Sequence, residues 1–206
     1  MHLEDAQDER AYYRDLIDAA KETDDVCHLT FDFAQQLELP FHTRQVGPLY
    51  FKVRFRVQLF GICEEAKKRQ TNYVYHEGEC IGEDGGKAHG PNSVISMLDH
   101  HLEVNCPGYR SITLHADNCV AQNKNKSVIA YLVWRVMCGL ADAIELNFMR
   151  VGHTRCSVDA YFGLLKQNYR SHDVDTMDHV VDVTNTSCTA NTAVRFEWQW
   201  RNWDSH

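Results

Sequence analysis

Several features that would identify common protein classes are missing from this sequence. It has no apolar run of about 18 residues, which is the length that a membrane-spanning helix needs. Its N-terminus is acidic and has no apolar core of a secretion signal. The eight cysteines form no Cys-x-x-Cys pair, and the 12 histidines form no His-x-His or His-Glu-x-x-His motif. These absences argue against a membrane span and the usual zinc or thioredoxin motifs, and they favour an intracellular protein with reduced thiols.

The acidic character of the chain is concentrated at its two ends. The 206 residues suffice for one domain with a proper core, and the formal net charge is −8. Residues 1–25 contain nine acidic and three basic residues, residues 171–206 contain six and two, and residues 26–170 contain 14 and 16. The positive excess is largest within 40–70, where seven basic residues accompany two acidic ones. A moderate phosphate-binding surface is therefore compatible with the sequence.

A regular alternation over 49–61 predicts a strand with one apolar and one basic face. Lys52, Arg54 and Arg56 alternate there with apolar residues, which is the period of two that a strand requires. The basic face would lie open to solvent or to a nucleic-acid backbone. Basic residues on an open sheet face can also serve solubility alone, so both interpretations stand.

Residues 114–126 are the most informative segment of the chain. The pattern predicts a strand that ends on Asp117-Asn118, then a polar loop and an apolar helix from residue 127 to about 140. The loop contains Gln122, Asn123, Lys124, Asn125 and Lys126. In α/β enzymes, a carboxylate at the C-terminal edge of a strand above such a loop holds a metal or a phosphate. The alternative is a solvated turn in which Asp117 only caps the next helix.

The order of the predicted elements indicates an α/β domain. Three strands precede alternating helices and strands, which is the order of the ribonuclease H-like fold: a mixed five-stranded sheet flanked by helices. We expect an acidic N-terminal helix over 1–25 and this core over 26–170. An acidic, irregular tail over 171–206 would end in a tryptophan-rich strand. Either the chain is truncated at that end, or a homo-oligomer or another partner covers Trp198, Trp200 and Trp203.

Three aspartates occupy the positions that carry the carboxylates in that fold. Asp32 lies inside the apolar first strand, where an unpaired acid is costly, Asp117 ends the fourth strand, and Asp159 lies in the first turn of a late helix. Three carboxylates brought together repel one another, and two Mg²⁺ or Mn²⁺ ions would relieve the repulsion and clamp a phosphodiester. Asp159 can equally be an ordinary first-turn acid.

Three segments of the sequence carry a family resemblance: 31–40 (Phe-Asp-Phe-Ala-Gln-Gln-Leu-Glu-Leu-Pro), 117–125 (Asp-Asn-Cys-Val-Ala-Gln-Asn-Lys-Asn) and 151–163 (Val-Gly-His-Thr, then Asp159 and Phe-Gly). They resemble an uncharacterised, transposon-associated domain family of invertebrate genomes. That family in turn resembles ribonuclease H-like (DDE/D) transposase and integrase cores. The resemblance spans roughly residues 26–203 and implies a catalytic-core architecture. No DNA-binding domain precedes the core, so we do not expect autonomous transposition.

The residue roles follow from this fold. Asp32, Asp117 and Asp159 would be catalytic metal ligands, and Asn118 would support Asp117. His153 would position water or contact a phosphate, by analogy with nucleases of the same fold, although a structural role is the alternative. The groups expected to hold the nucleic-acid backbone are Lys52, Arg54, Arg56, Gln122, Asn123, Lys124 and Lys126.

The leading hypothesis is a metal-dependent nuclease or strand-transfer core of transposon origin, with DNA as the expected substrate and the nucleus as a possible location. A second hypothesis is a catalytically inactive relative that binds nucleic acid or another protein. In that case Lys52, Arg54 and Arg56 would matter and the aspartates would not. An unrelated metal-dependent hydrolase is a third idea, for which the sequence offers no motif.

Overall fold

The structure is a computed structural model that describes residues 2–23, 25–44, 47, 53–81, 85, 90–149, 156–197, 200, 201 and 203. Five α-helices and seven strands are present in this part of the chain. In chain order they are α1 His2–Glu22, β1 Val26–Phe33, β2 Leu37–Leu39, β3 Phe55–Glu64, β4 Arg69–His76, α2 Pro91–Asn105, β5 Ser111–Ala116, α3 Lys126–Met137, β6 Ala143–Phe148, α4 Ser157–Arg170, α5 Met177–Asn185 and β7 Asn191–Arg195. None of the described helices is long and apolar enough to cross a membrane.

All seven strands form one mixed sheet. The strand order is β6-β5-β1-β3-β4-β7, and the short β2 pairs with β3. β1 is antiparallel to β3, and β3 is antiparallel to β4, whereas the pairs β1–β5, β5–β6 and β4–β7 are parallel. The predicted α/β class and mixed sheet are confirmed, but the predicted number of five strands is wrong. The two additional strands are β2 and β7.

The residues of β1 alternate between the two sides of the sheet. Cys27, Leu29 and Phe31 belong to a large apolar core beneath α2 and α3. On the other side, α4 and α5 cover a second apolar cluster that includes Val57 and Leu59 of β3. The sheet is therefore the middle of three layers, and both its faces are covered.

The predicted acidic helix at the N-terminus is present as α1. It packs on the α4 side of the sheet, where the Tyr13 ring contacts the second apolar cluster. Helical spacing brings Ala20 to the same side, and its side chain is buried. The acidic residues Asp15 and Asp18 lie on the exposed side of the helix.

The tail after residue 170 is not irregular, so that part of the prediction is wrong. The Thr176 hydroxyl accepts a hydrogen bond from the His179 backbone N–H and caps α5. Strand β7 then joins the sheet beside β4, which places it at an edge of the sheet. The acidic composition had concealed an amphipathic helix, whose apolar residues Met177, Val180 and Val183 are buried.

The tryptophans near the end pack on this chain's own core. Trp200 is buried against Tyr75 and Phe196, and the half-buried Trp203 packs against Tyr131. These two side chains therefore need no partner to cover them, contrary to our expectation. Trp198 lies outside the described residues.

Candidate functional site: a carboxylate cluster at the sheet edge

Asp32 and Asp117 lie side by side because their strands are parallel neighbours. β1 and β5 pair in a register that sets Phe31 opposite Ala116. Asp32 and Asp117 each follow these residues by one position, at the C-terminal end of the strand pair. This is the edge at which ligands bind in open α/β sheets. The two residues that sequence reasoning singled out are thus brought together.

Asp32 is held in a surrounding that disfavours its ionised form. Its Oδ1 accepts a hydrogen bond from the Phe33 backbone N–H at 2.7 Å. Burial, together with the negative charges of Asp117 and Asp159, raises the pKa of Asp32 to about 7, against the effect of that hydrogen bond. The three aspartates, named here the carboxylate cluster, are therefore close enough to repel one another.

Helix α4 approaches the sheet closely at Gly61, which lies opposite Asp32 in the β1–β3 ladder. A Cβ atom at position 61 would lie 2.7 Å from Cζ of Phe162. The missing side chain thus provides the space for the Phe162 ring, one turn after Asp159. This packing brings the start of α4, and with it the exposed Asp159, to the carboxylate cluster.

Asp117 is oriented by the loop that follows it. Its Oδ1 accepts hydrogen bonds from the Cys119 backbone N–H at 3.0 Å and from Nδ2 of Asn123 at 2.6 Å. Asn123 is fully buried, and within the described residues its Oδ1 has no hydrogen-bond partner. Asn123 therefore positions Asp117 and does not lie on the surface, where we had predicted a contact with the nucleic-acid backbone.

The rest of the loop is a compact, internally bonded turn. The backbone N–H groups of Gln122, Asn123 and Lys124 all donate to the Cys119 carbonyl at 2.8 to 3.3 Å. The Asn125 side chain caps α3 by accepting a hydrogen bond from the Val128 backbone N–H. The helix cap is therefore Asn125, so Asp117 does not cap α3, and its own hydrogen bonds hold the turn that begins at Cys119.

The other predicted residues of this loop lie at or near the surface. Lys124 and Lys126 are exposed, and the Lys124 ammonium group lies 5.2 Å from the centre of the Phe148 ring. Gln122 and Asn118 are partly exposed. The hydrogen bonds described for Asp117 come from Cys119 and Asn123, so the supporting role of Asn118 stays a prediction.

Asp159 lies in the first turn of α4, as predicted. The Cys156 thiol donates to its Oδ2 at 3.5 Å, and Cys156 is the N-cap residue of the helix. The neighbouring Ser157 donates its hydroxyl hydrogen bond to Oε2 of Glu65 at 2.7 Å. His153 lies outside the described residues.

The face of the sheet that carries the carboxylate cluster holds further buried polar groups that sequence reasoning missed. Nε2 of His28 and Nδ1 of His115 share a hydrogen bond of 2.9 Å. The Tyr13 hydroxyl donates to Oε1 of Glu65 at 2.5 Å and lies 3.0 Å from the Thr30 hydroxyl. Together with Asp32 and Asp117, these residues form a polar row along β1 and β5. The period-two alternation of His28, Thr30 and Asp32 was the available signal.

Burial keeps the two histidines of the polar row neutral. Burial and, to a smaller extent, the nearby His115 lower the pKa of His28 to about 3. Burial likewise lowers the pKa of His115 to about 4. Burial and the Glu65 carboxylate raise the pKa of the Tyr13 hydroxyl far above its usual value. Near neutral pH the middle of the row therefore consists of uncharged hydrogen-bonding groups beside the acidic Glu65.

The predicted basic surface is partly neutralised by its own neighbours. Arg54 is exposed and pairs with Glu38 at 3.1 Å, and the exposed Arg56 lies opposite Glu38 in the β2–β3 ladder. Lys67 and Arg69 both bind the carboxylate of Glu64, at 2.6 and 2.8 Å. Lys52 lies outside the described residues.

The oxygen ligands of the carboxylate cluster are suited to hard cations, but their side chains are not already arranged in a coordination geometry. Carboxylate oxygens are the ligands that Mg²⁺ and Mn²⁺ prefer. Among the described residues, no group of three or more histidine, cysteine, aspartate or glutamate side chains is arranged to hold a metal ion. The side chains of the cluster would therefore have to turn toward an ion in order to bind it.

Comparison with known proteins identifies the chain at the level of a family. No curated protein and no solved structure matches it. Residues 54–205 match the family described as a domain of unknown function (DUF7869). Asp117 and Asp159 lie within the matched residues, whereas Asp32 precedes them. Because the match covers well over half of the sequence, the chain belongs to the DUF7869 family.

Proposed function

We propose that this protein is a metal-dependent core that acts on nucleic-acid phosphodiesters, by hydrolysis or strand transfer, through Asp32, Asp117 and Asp159. The observation that carries the proposal is the position of Asp32 beside Asp117 at the C-terminal ends of two parallel strands, within reach of the charge of Asp159. Such a cluster costs stability in the absence of a cation, which is the usual sign of a functional site. DNA is the proposed substrate, and a transposon the proposed origin.

The topology of the sheet supports this proposal. Strands β4, β3, β1, β5 and β6 are adjacent in that order, and β3 is the strand that runs antiparallel to its neighbours. A ribonuclease H-like core has this arrangement, in which the first and fourth strands lie side by side and carry carboxylates. Fold-level likeness alone does not assign an activity, so the proposal depends on the carboxylate cluster.

Each carboxylate has a role that its surroundings support. Asn123 and the Cys119 backbone N–H hold one oxygen of Asp117, which orients this side chain toward the sheet edge. Asp32 has a pKa of about 7 and gives up its proton when a cation compensates the repulsion. When bound, Mg²⁺ or Mn²⁺ would activate a water molecule and stabilise the leaving oxygen of a phosphodiester.

The substrate would be held by groups around this edge. Lys124 and Lys126 are exposed on the loop and helix that follow Asp117, and Gln122 is partly exposed beside them. Exposed lysines bind phosphate oxygens without reading sequence, so they would position a nucleic-acid backbone. The affinity for nucleic acid should then fall steeply as the salt concentration rises.

The test is a calorimetric titration of the protein with Mn²⁺. The Asp32→Asn/Asp117→Asn double variant should lose at least tenfold in affinity, because two anionic ligands are removed. The third ligand is tested separately with Asp159→Asn, and Asp178→Asn is its matched control. Both acids lie in the first turn of a helix, and Asp178 is exposed on α5. Equal Mn²⁺ affinity in the double variant and the wild type would refute the proposal.

A second candidate is a core that binds nucleic acid without cleaving it. The absence of a preformed metal cage among the described residues favours this candidate. An assay with labelled single-stranded and branched DNA in the presence of Mn²⁺ separates the two. Cleavage that Asp117→Asn abolishes supports the first candidate. Binding without cleavage, weakened by Arg54→Glu/Arg56→Glu but unchanged by Asp117→Asn, supports the second.

A further inference from the structure

We propose that Cys27 and Cys106 are an oxidisable pair that closes to an intramolecular disulfide when the protein meets a peroxide. Cys27 lies in β1, and Cys106 directly follows the last residue of α2. Their sulfur atoms are 3.0 Å apart, although both cysteines are free thiols. This proposal does not depend on the proposed function.

The fold brings the two sulfur atoms together from distant positions in the sequence. The two residues are 79 positions apart in sequence, and each is about 5% exposed or less. The Sγ–Sγ distance exceeds the length of a disulfide bond, roughly 2.05 Å, by about 1 Å. A small side-chain rotation therefore suffices to form the bond, and no rearrangement of the sheet is needed.

The pair also has the features of a reactive thiol site. The hydrogen bond donated by the Cys27 thiol lowers the pKa of Cys106 below its usual value, with a further contribution from His101 and against the effect of burial. A lowered pKa favours the thiolate, which is the form that attacks peroxides. A cavity of about 210 Å³, lined by Cys27, Lys67 and Tyr109, reaches the pair from the Cys27 side, and the Cys106 sulfur lies 3.0 Å beyond that of Cys27. Such a cavity admits a molecule as small as hydrogen peroxide.

The reaction is balanced without any further reactant. The Cys106 thiolate attacks one peroxide oxygen, so that an S–O bond forms and the O–O bond breaks to release hydroxide. Cys27 then attacks the Cys106 sulfur, which forms the S–S bond and expels the second oxygen as hydroxide. The proton of Cys27 and one from solvent convert the two hydroxides to water. Each sulfur is oxidised by one electron, and the peroxide is reduced to two water molecules.

Cys63, Cys138 and Cys156 lack this combination. Burial raises the pKa of Cys156 to about 12, and burial also raises the pKa of Cys63 well above its usual value. Cys138 is exposed, but no second cysteine is described as its partner. Exposure alone would make Cys138 the first thiol to react, whereas the geometry of the pair predicts Cys27 and Cys106.

The test is peroxide treatment of the wild-type protein, followed by denaturation, alkylation of the remaining thiols and peptide mapping by mass spectrometry. We expect a linked peptide that contains Cys27 and Cys106 and is two hydrogens lighter than the two reduced peptides together. It should form while Cys63 and Cys80 are still fully alkylated, and it should disappear after reduction. The wild-type protein suffices, so the test does not depend on a variant that folds.

Two variants sharpen the result. Cys27→Ser should abolish the linked peptide and leave Cys106 as an over-oxidised or alkylated thiol, whereas Cys138→Ser should leave the yield of the linked peptide unchanged. Full alkylation of both Cys27 and Cys106 at doses that already oxidise Cys138 would overturn the proposal. Linkage of either cysteine to a different partner would overturn it as well.

Discussion

The two faces of the sheet use the same strands in opposite ways. On the α2–α3 side, β1 contributes Leu29 and Phe31 to a close-packed apolar core. On the α1–α4 side, the same strand contributes His28, Thr30 and Asp32 to the polar row. One strand of eight residues thus provides both the main stabilising surface and the candidate site.

Each face also contains a carboxylate that is at least partly buried, but the two carboxylates differ in whether a positive charge is paired with them. On the α2–α3 side, the Asp99 carboxylate binds Arg135 at 2.5 Å and the Tyr131 hydroxyl at 2.8 Å, and all three side chains are buried. This charge is compensated. On the other side, Asp32 faces like charges, which raise its pKa beyond the effect of burial. The buried charge on the α2–α3 side is therefore compatible with a stable fold, whereas the carboxylate cluster on the other side lowers the stability of the fold.

The largest expected effect comes from breaking the compensated pair. Arg135→Met leaves the Asp99 carboxylate buried with the more distant Arg201, at 3.5 Å, as its remaining ion-pair partner among the described residues. We expect a loss of about 3–5 kcal/mol in the free energy of unfolding, measured by urea denaturation. Arg110→Met is the matched control, because Arg110 pairs with Asp142 on the surface and should leave the urea midpoint unchanged. A loss no larger than that of the control would show that the pair does not stabilise this face.

The neutral histidines of the polar row predict a loss of stability in acid. The folded-state pKa values of His28 and His115 lie at about 3 and about 4, below the usual value of 6.5. The unfolded chain therefore binds protons first as the pH falls below about 6.5, so the stability decreases between about pH 6.5 and 4. The expected loss at pH 5 is roughly 2 kcal/mol for each histidine.

This prediction is checked by urea denaturation between pH 8 and 5. His115→Gln should reduce the dependence of stability on pH, because it removes one of the two groups. His172→Gln provides the comparison, since His172 is exposed on the turn after α4. A pH dependence that is identical in wild type and His115→Gln would contradict the assignment.

The smallest expected effect is a gain in stability at the carboxylate cluster. The pKa of Asp32 is raised to about 7 in the folded state, so folding retains a proton that the unfolded chain releases between about pH 4 and 7. Stability from this group is therefore lost as the pH rises from about 4 to 7, and the loss is complete above pH 7. The pKa shift alone corresponds to a gain of roughly 4 kcal/mol for Asp32→Asn at pH 8, and the weakened hydrogen bond from the Phe33 backbone N–H offsets about 2–3 kcal/mol of it. We therefore expect a net rise in the free energy of unfolding of about 1–2 kcal/mol at pH 8 and less at pH 5.

Thermal unfolding at the two pH values measures this difference. If Asp32→Asn destabilised the protein equally at pH 5 and pH 8, the Asp32 carboxylate would be required for the structure and would not be repelled by its neighbours. At pH 8, saturating Mn²⁺ should make the wild type more stable than Asp32→Asn, because the ion stabilises only the protein that retains its ligand. This outcome would link the loss of stability caused by repulsion in the carboxylate cluster to the proposed binding of a metal ion.

Local patterns in the sequence were sufficient to predict most elements of the fold. Period-two alternation located β5, and the Asp117 that follows it lies at the strand end where we predicted it. Helical spacing located α3 to within a few residues, and Asp159 lies in the first turn of α4 as predicted. These elements were predictable because burial of one face imposes a period that short segments display by themselves. The tail was mispredicted because its acidic composition obscured the apolar side of α5.

The partners within the site could not be predicted in the same way. Glu65 binds Tyr13 and Ser157, which lie 52 and 92 positions away in sequence. His28 and His115 are 87 positions apart. No local period reports such contacts, because they depend on which strands are neighbours and on how closely a helix approaches the sheet. Asn123 is a similar case, since nothing in a polar loop indicates which amide is buried.

The sequence by itself determined where most of the strands and helices lie and that one acid lies within the first strand and another directly after β5. Side-chain periodicity is a local property, and it is already present before the chain folds. Only the tertiary structure decided that Asp32 and Asp117 are neighbours, that Asn123 holds one of them, and that Asp159 reaches the same edge. The reason is that a pKa of about 7 for Asp32 arises from burial and from charges on two other elements, which only the folded sheet brings together.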